Sequence, residues 1–178
     1  MVGLSIAREL SISGKKVLVI DKNSSFGQEN SSRNSGVIHA GIYYPHNSFK
    51  NKFCSAGNVS LYSYAKERGI GFSNCGKIII ATRKEEEIKL NQIIFNAERN
   101  GLTLEKLKKK QLKELEPELI GEVGLISRTT GIIDIHDLML NFVIDIENNG
   151  GLVSFHSEFS HSINKSNHIS FFLKKDSK

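Results

Sequence analysis

The sequence predicts an α/β fold built on a parallel βαβ unit of which it carries the second half. Two observations predict it. A helical pattern over Val2–Ser13 passes through Gly14 into Val17-Leu18-Val19-Ile20, a continuous apolar run of the kind buried on both faces of a parallel sheet. Strand-length apolar runs and helical periods then follow one another along the chain.

The opening helix places Ile6 and Leu10 with the small Gly3 and Ala7 on one side, and Gly14 supplies a left-handed stop. The strand ends at Asp21. Ser24–Asn47 is rich in Ser, Asn and Gly and too long for a bland connection, which marks it as a functional loop. Ser48–Arg68 returns to a helix, with Phe53, Gly57, Leu61 and Tyr64 as its inward stripe and Gly69 as its end. Lys77–Thr82 is a strand. Glu85–Asn100 is an amphipathic helix through Ile88, Ile93, Ile94 and Ala97, closed by Gly101. Leu104–Leu115 is predicted helical and stopped by Pro117, which places Lys108–Lys110 on a solvated helix face. Gly124–Ser127 and Gly131–Ile133 are short strands, His136–Asn148 is a helix ended by Gly150-Gly151, and Leu152–Phe155 and Ile169–Leu173 are strands.

The chain has 178 residues, 39% hydrophobic and 24% charged, which suits a folded core and excludes wholesale disorder. No apolar run approaches 18 residues, and Arg8 and Glu9 fall too early for a secretory h-region, so neither a membrane span nor an export signal is expected. The net charge of +5 does not mark a nucleic-acid protein, because the basic residues are dispersed apart from Lys108–Lys110 and the pair Lys174-Lys175. Cys54 and Cys75 form no C-x-x-C pair and read as packing residues in a reducing, cytoplasmic setting. No metal constellation is expected.

Met1-Val2-Gly3 matches only the last part of a G-x-G-x-x-G dinucleotide fingerprint. Asp21, 18 residues after Gly3 and at a strand end, suits an acceptor for a ribose hydroxyl or a plain surface Asp before a turn. Ser31, Ser32, Arg33, Asn34 and Ser35 bring hydroxyls, an amide and a guanidinium suited to phosphate and ribose oxygens, or to a solvated loop. Gly36 and Gly41 bracket Val37-Ile38-His39-Ala40, where backbone can approach a flat ligand closely. His39 is either a structural histidine or a base suited to taking a proton from an alcohol.

The string SSRNSGVIHAGIYYP resembles the FAD-dependent L-2-hydroxyglutarate oxidases and dehydrogenases, within the D-amino-acid-oxidase-like flavoproteins. VGLSIARELS and VLVIDK precede it, and CSAGNVSLYSYAKERGI, CGKIIIAT and TGIIDIHDLM follow, so the resemblance covers residues 1 to about 155 in order. It implies an FAD/NAD(P)-binding Rossmann-like domain interrupted by a mostly antiparallel substrate domain, both incomplete here. The expected division is 1–72 for the first part of the FAD-binding domain, 73–133 for the substrate domain and 134–178 for the return.

The resemblance also implies roles. Gly3 closes the fingerprint and Asp21 takes the adenosine ribose. Ser31, Ser32, Arg33 and Asn34 line the pyrophosphate side, and Ser35, His39, Ala40 and Gly41 approach the flavin ring. Phe159 offers backbone groups to the adenine. The implied reaction is hydride transfer from L-2-hydroxyglutarate to flavin, with His39 as proton acceptor and Arg33, Lys77 and Arg128 as available cations for the carboxylates. The first strand, the first two fingerprint glycines and the later part of the family pattern lie outside the sequence, so this stretch alone is expected to hold FAD poorly. Two alternatives stand beside this expectation. One is a related flavoenzyme acting on another 2-hydroxy acid, an amine or glycerol phosphate; the other is a truncated, non-catalytic remnant. Partners are expected to be a small 2-hydroxy acid and no nucleic acid, with a peripheral contact at the inner membrane left open for the intact enzyme.

Overall fold

A computed structural model describes residues 1–174; Lys175 of the basic tail pair lies outside the described residues. In chain order the elements are α1 (Val2–Ile12), β1 (Leu18–Ile20), β2 (Val37–Ile38), α2 (Phe49–Arg68), β3 (Phe72–Ser73), β4 (Lys77–Ala81), α3 (Glu87–Arg99), β5 (Glu105–Lys108), α4 (Lys109–Leu115), β6 (Val123–Ser127), β7 (Gly131–Ile133), α5 (Ile135–Asn148), β8 (Leu152–Ser154), β9 (Phe159–Lys165) and β10 (His168–Leu173), with 3-10 turns at Asn30–Arg33 and Lys84–Glu86. They form two units. One joins Met1–Asn34 to the residues from Ile135 onward; the other is the unbroken stretch Ser35–Asp134.

In the first unit α1 packs on α5. Leu4, Ala7, Met139, Val143 and Ile146 make the core, and Val17, Val19 and Val153 cover it from the strands. β1 pairs in parallel with β8, Leu18 opposite Leu152. The expectation that this strand is buried on both faces is corrected: the side chains alternate, Val17 and Val19 meet the helices, and Leu18 and Leu152 remain exposed. Asp145 of α5 has a side chain only 3% exposed, and its Oδ2 accepts from Arg8 Nε of α1 at 2.6 Å. β9 and β10 form an antiparallel hairpin, His168 opposite Lys165.

The second unit holds two antiparallel three-stranded sheets, ordered β2-β7-β3 and β4-β6-β5. β6 is buried throughout. On one face of its sheet Ala81, Val123 and Leu125 pack with Leu90 of α3; on the other, Ile78, Ile80 and Ile126 pack with Leu107 and Leu112. Two expectations are corrected here. Residues 105–108 of the predicted Leu104–Leu115 helix are a strand, because pairing Glu105 with Ile126 and Lys108 with Val123 supplies backbone partners that outweigh a weak local helical pattern. Lys108 therefore lies on a strand rather than a helix face. Ile88, expected on the inward face of α3, is 66% exposed, and Leu90 is buried instead.

Ser48 caps α2 by accepting the Asn51 N–H at 3.1 Å, and Gly69, at φ +68°, ends it in the left-handed conformation. The inward stripe expected for α2 is also corrected: Phe53 is exposed and stacks on Phe49, and Ala65 is the fully buried residue.

Gly131, where β7 begins, has no room for a side chain. A Cβ there would overlap the Tyr62 hydroxyl and the Ser73 carbonyl and lie 3.2 Å from Asn74 Cα. Gly131→Ala is expected to lower stability by about 1–3 kcal/mol or more, since backbone and not a flexible tip must give way. A melting curve unchanged from that of the parent would refute this packing.

Candidate functional site

The loop after β2 is fixed through its backbone while its histidine ring stays exposed. The His39 carbonyl accepts from Cys54 Sγ at 3.3 Å and from Asn58 Nδ2 at 3.1 Å, and the same Asn58 amide donates to the Thr129 carbonyl at 2.9 Å. Burial pushes the Cys54 thiol up, which keeps it the protonated donor this contact needs. Cys75, expected to pack, is exposed, which corrects that half of the cysteine reading. Ala40 is buried against Ile42 and Ala97. Gly41 has φ +90°, and a Cβ there would meet Ser55 Oγ at 3.3 Å and Asn51 Nδ2 at 3.7 Å, so both its conformation and its surroundings require glycine. Those two polar atoms are buried without a partner, leaving hydrogen-bonding capacity directly beneath the loop.

Farther along, Asn96 Nδ2 of α3 donates to the Ile42 carbonyl at 2.7 Å, and Asn100 Nδ2 donates to the Tyr44 carbonyl at 2.9 Å. Side-chain amides of α2 and α3 thus replace the strand partners this irregular backbone lacks. His39, Gly41, Tyr43, Lys77 and Thr130 are among the residues lining a small cleft of about 20 Å³. Ser35 lines a different, wider cleft of about 350 Å³ with Phe72, Ile132 and Asp134. The second unit therefore brings His39, Ala40 and Gly41 together and sets Ser35 apart from them.

In the first unit, the amine of Met1 lies 3.1 Å from Ser31 Oγ, so Ser31 sits at the start of α1. No side chain caps that helix, and a Cβ on Gly3 would have open space around it. Ser32 Oγ is turned back to the Glu29 carbonyl at 2.7 Å, and Arg33 is exposed. Asn34 is extended at φ −94°. Asp21 directly follows β1; its Oδ1 accepts the Asn23 N–H at 2.9 Å, its N–H donates to the Ser154 carbonyl and its carbonyl accepts from the Ser157 N–H. Phe159 begins β9 and is 49% exposed. The first unit thus carries Ser31 at the start of α1, with Ser32 and Asp21 hydrogen-bonded to neighbouring backbone.

Thr130, Asn58, Asn96 and Asn100 escaped the sequence reading. One signal could have found the first support: Asn51, Ser55, Asn58 and Tyr62 recur at helical spacing and give α2 a polar inward face. Among the described residues no group of three or more His, Cys, Asp and Glu could hold a metal, and no helix is long and apolar enough to cross a membrane.

Residues 1–171 match the model of the DAO family, FAD dependent oxidoreductase. The chain is 44% identical over 144 residues to the mitochondrial L-2-hydroxyglutarate dehydrogenase of Arabidopsis thaliana, covering 80% of this chain and 30% of that protein. It is 39% identical over 151 residues to the Dictyostelium discoideum protein of the same name, covering 82% of this chain and 34% of that one. It thus spans about a third of the length of these curated relatives. The solved structure of dithionite-reduced, FAD-bound L-alpha-glycerophosphate oxidase from Mycoplasma pneumoniae superposes with a TM-score of 0.90 at 21% identity, over 98% of this chain and 47% of that one. The last likeness shows the fold; the family model shows the membership. The chain belongs to the DAO family of FAD-dependent oxidoreductases.

Proposed function

We propose that this chain serves the oxidation of L-2-hydroxyglutarate to 2-oxoglutarate, as part of an enzyme that uses FAD. The observation that carries the reading is the His39 loop: its backbone is locked by α2 while its ring is exposed beside a cleft that also holds a lysine. The names of the relatives at 44% and 39% identity support the choice of substrate.

In this reading the start of α1, with Gly3 and Ser31, holds the phosphates, joined by Ser32, Arg33 and Asn34. Asp21 accepts from the adenosine ribose, and backbone at Phe159 faces the adenine. Ser35, Ala40 and Gly41 lie along the ring system. FAD, when bound, supplies the acceptor for the hydride leaving the carbinol carbon. His39 takes the hydroxyl proton on a ring nitrogen. Residues 73–133 belong to the substrate domain, flanked by the FAD-binding segments 1–72 and 134–178, and the setting is cytoplasmic.

The test is anaerobic mixing of L-2-hydroxyglutarate with a full-length holoenzyme carrying these residues. Bleaching of the oxidised flavin with one equivalent of 2-oxoglutarate formed is expected, and the D enantiomer should leave the spectrum unchanged. Bleaching by glycerol 3-phosphate or an amino acid, with L-2-hydroxyglutarate inert, would overturn the reading.

A further inference from the structure

We propose that Lys77 is the carboxylate-binding group of the His39 cleft and so sets a preference for dicarboxylate substrates. The inference deepens the substrate reading above and rests on it for the identity of the anion.

Three cations were available from sequence, and the structure separates them. Arg128 is engaged by Glu105, with Nη2 2.6 Å and Nε 3.0 Å from the same carboxylate oxygen, and its side chain is 70% exposed. Arg33 is exposed and belongs to the other unit. Lys77 is half-buried and lines the cleft with His39, Gly41, Tyr43 and Thr130. Among the described residues no carboxylate pairs with it. Its Nζ stands 4.8 Å from the centre of the Tyr43 ring. An ammonium over an aromatic face keeps its charge and its remaining N–H donors for a ligand, without a protein anion to be displaced first.

The lysine is also held in place from behind. Gly76, at φ +77°, donates its N–H to the buried Thr130 carbonyl at 2.9 Å, and a Cβ on Gly76 would meet the Ser127 carbonyl at 3.2 Å. Lys77 itself pairs with Ser127 in the β4–β6 ladder. Ser127 and Thr130 are tied through their hydroxyls, 3.0 Å apart. Both strand ends that present Lys77 are therefore anchored. The cleft volume of about 20 Å³ is room for one water-sized group, which matches one end of a carboxylate and not a whole substrate. The remainder of a dicarboxylate then lies outside this recess, with one carboxylate on Lys77.

The test uses calorimetric titration of the full-length holoenzyme with glutarate, which has both carboxylates but no hydroxyl to oxidise, and with glutaramide as its uncharged analogue. Glutarate is expected to bind the parent, and glutaramide at least about tenfold more weakly. Lys77→Met and Lys77→Gln should each weaken glutarate about tenfold or more, the loss expected for one charge-assisted hydrogen bond. Arg128→Met should bind as the parent does. The flavin spectrum and circular dichroism of each variant identify any that fails to fold; the polar Lys77→Gln is the fallback. Equal glutarate affinity in a folded Lys77 variant, or equal binding of glutaramide and glutarate, overturns the proposal. Glutarate binding that depends on Lys77 in a protein that does not oxidise L-2-hydroxyglutarate would sustain the carboxylate site and sink the substrate reading. Oxidation of L-2-hydroxyglutarate with the same KM in parent and Lys77→Met would do the reverse.

Discussion

Replacing His39 by Asn in a full-length protein carrying these residues is expected to lower kcat by about 10²–10⁴-fold, the range for a lost general base. Asparagine retains a polar planar group but offers no nitrogen able to take a proton. The fold of the loop should survive, because Cys54 and Asn58 hold the carbonyl of His39 and not its ring. The substitution therefore separates chemistry from architecture. Flavin content and circular dichroism should match the parent, turnover should collapse, and added imidazole should restore part of it. Unchanged turnover would remove His39 from the chemistry and leave it a loop-ordering residue.

The second large effect concerns stability. Arg8→Met removes the guanidinium from a carboxylate whose side chain is 3% exposed, and a loss of about 3–5 kcal/mol is expected. Arg8 also meets Glu9, but Glu9 is 70% exposed, and that contact contributes little. Exchanging both partners, Arg8→Met with Asp145→Leu, should recover most of the loss. The pair joins α1 to α5, the helices that carry the core residues Leu4, Ala7, Met139, Val143 and Ile146, so aliphatic groups of similar volume suit this region. Urea unfolding of the two variants and the parent measures both effects. A double variant as weak as the single one would show that Arg8 acts through packing and not through charge.

The sequence was informative where a signal is local. Ser48 and Gly69 bound α2, and Gly14, at φ +78°, follows the end of α1, because capping and left-handed backbone depend on residues a few positions apart. The His39 loop was visible for the same reason: a histidine between glycines in a polar stretch is a local pattern. β5 was misread because its conformation is decided by β6, nearly twenty residues away, and β3 has only two residues and no period to detect. The outward turn of Phe53 follows from a partner absent from any local window, the carbonyls of the loop that occupy the opposite face of α2. Lys77 was one of three cations in sequence; the β4–β6 register and the Gly76 turn set it apart.

The second unit is one uninterrupted stretch whose ends meet. The Ile133 N–H donates to the Gly36 carbonyl at 2.9 Å, and β2 pairs with β7. The first unit is assembled from both sides of it. During translation β1 emerges and must then wait for β8, more than a hundred residues later, an interval of several seconds at the usual rate of about 5–20 residues per second. All partners of β4, β6 and β7 have left the ribosome by then. Synthesis from the N-terminus thus makes the interposed stretch the earlier to close, and β1 finds its partner only after that stretch is complete.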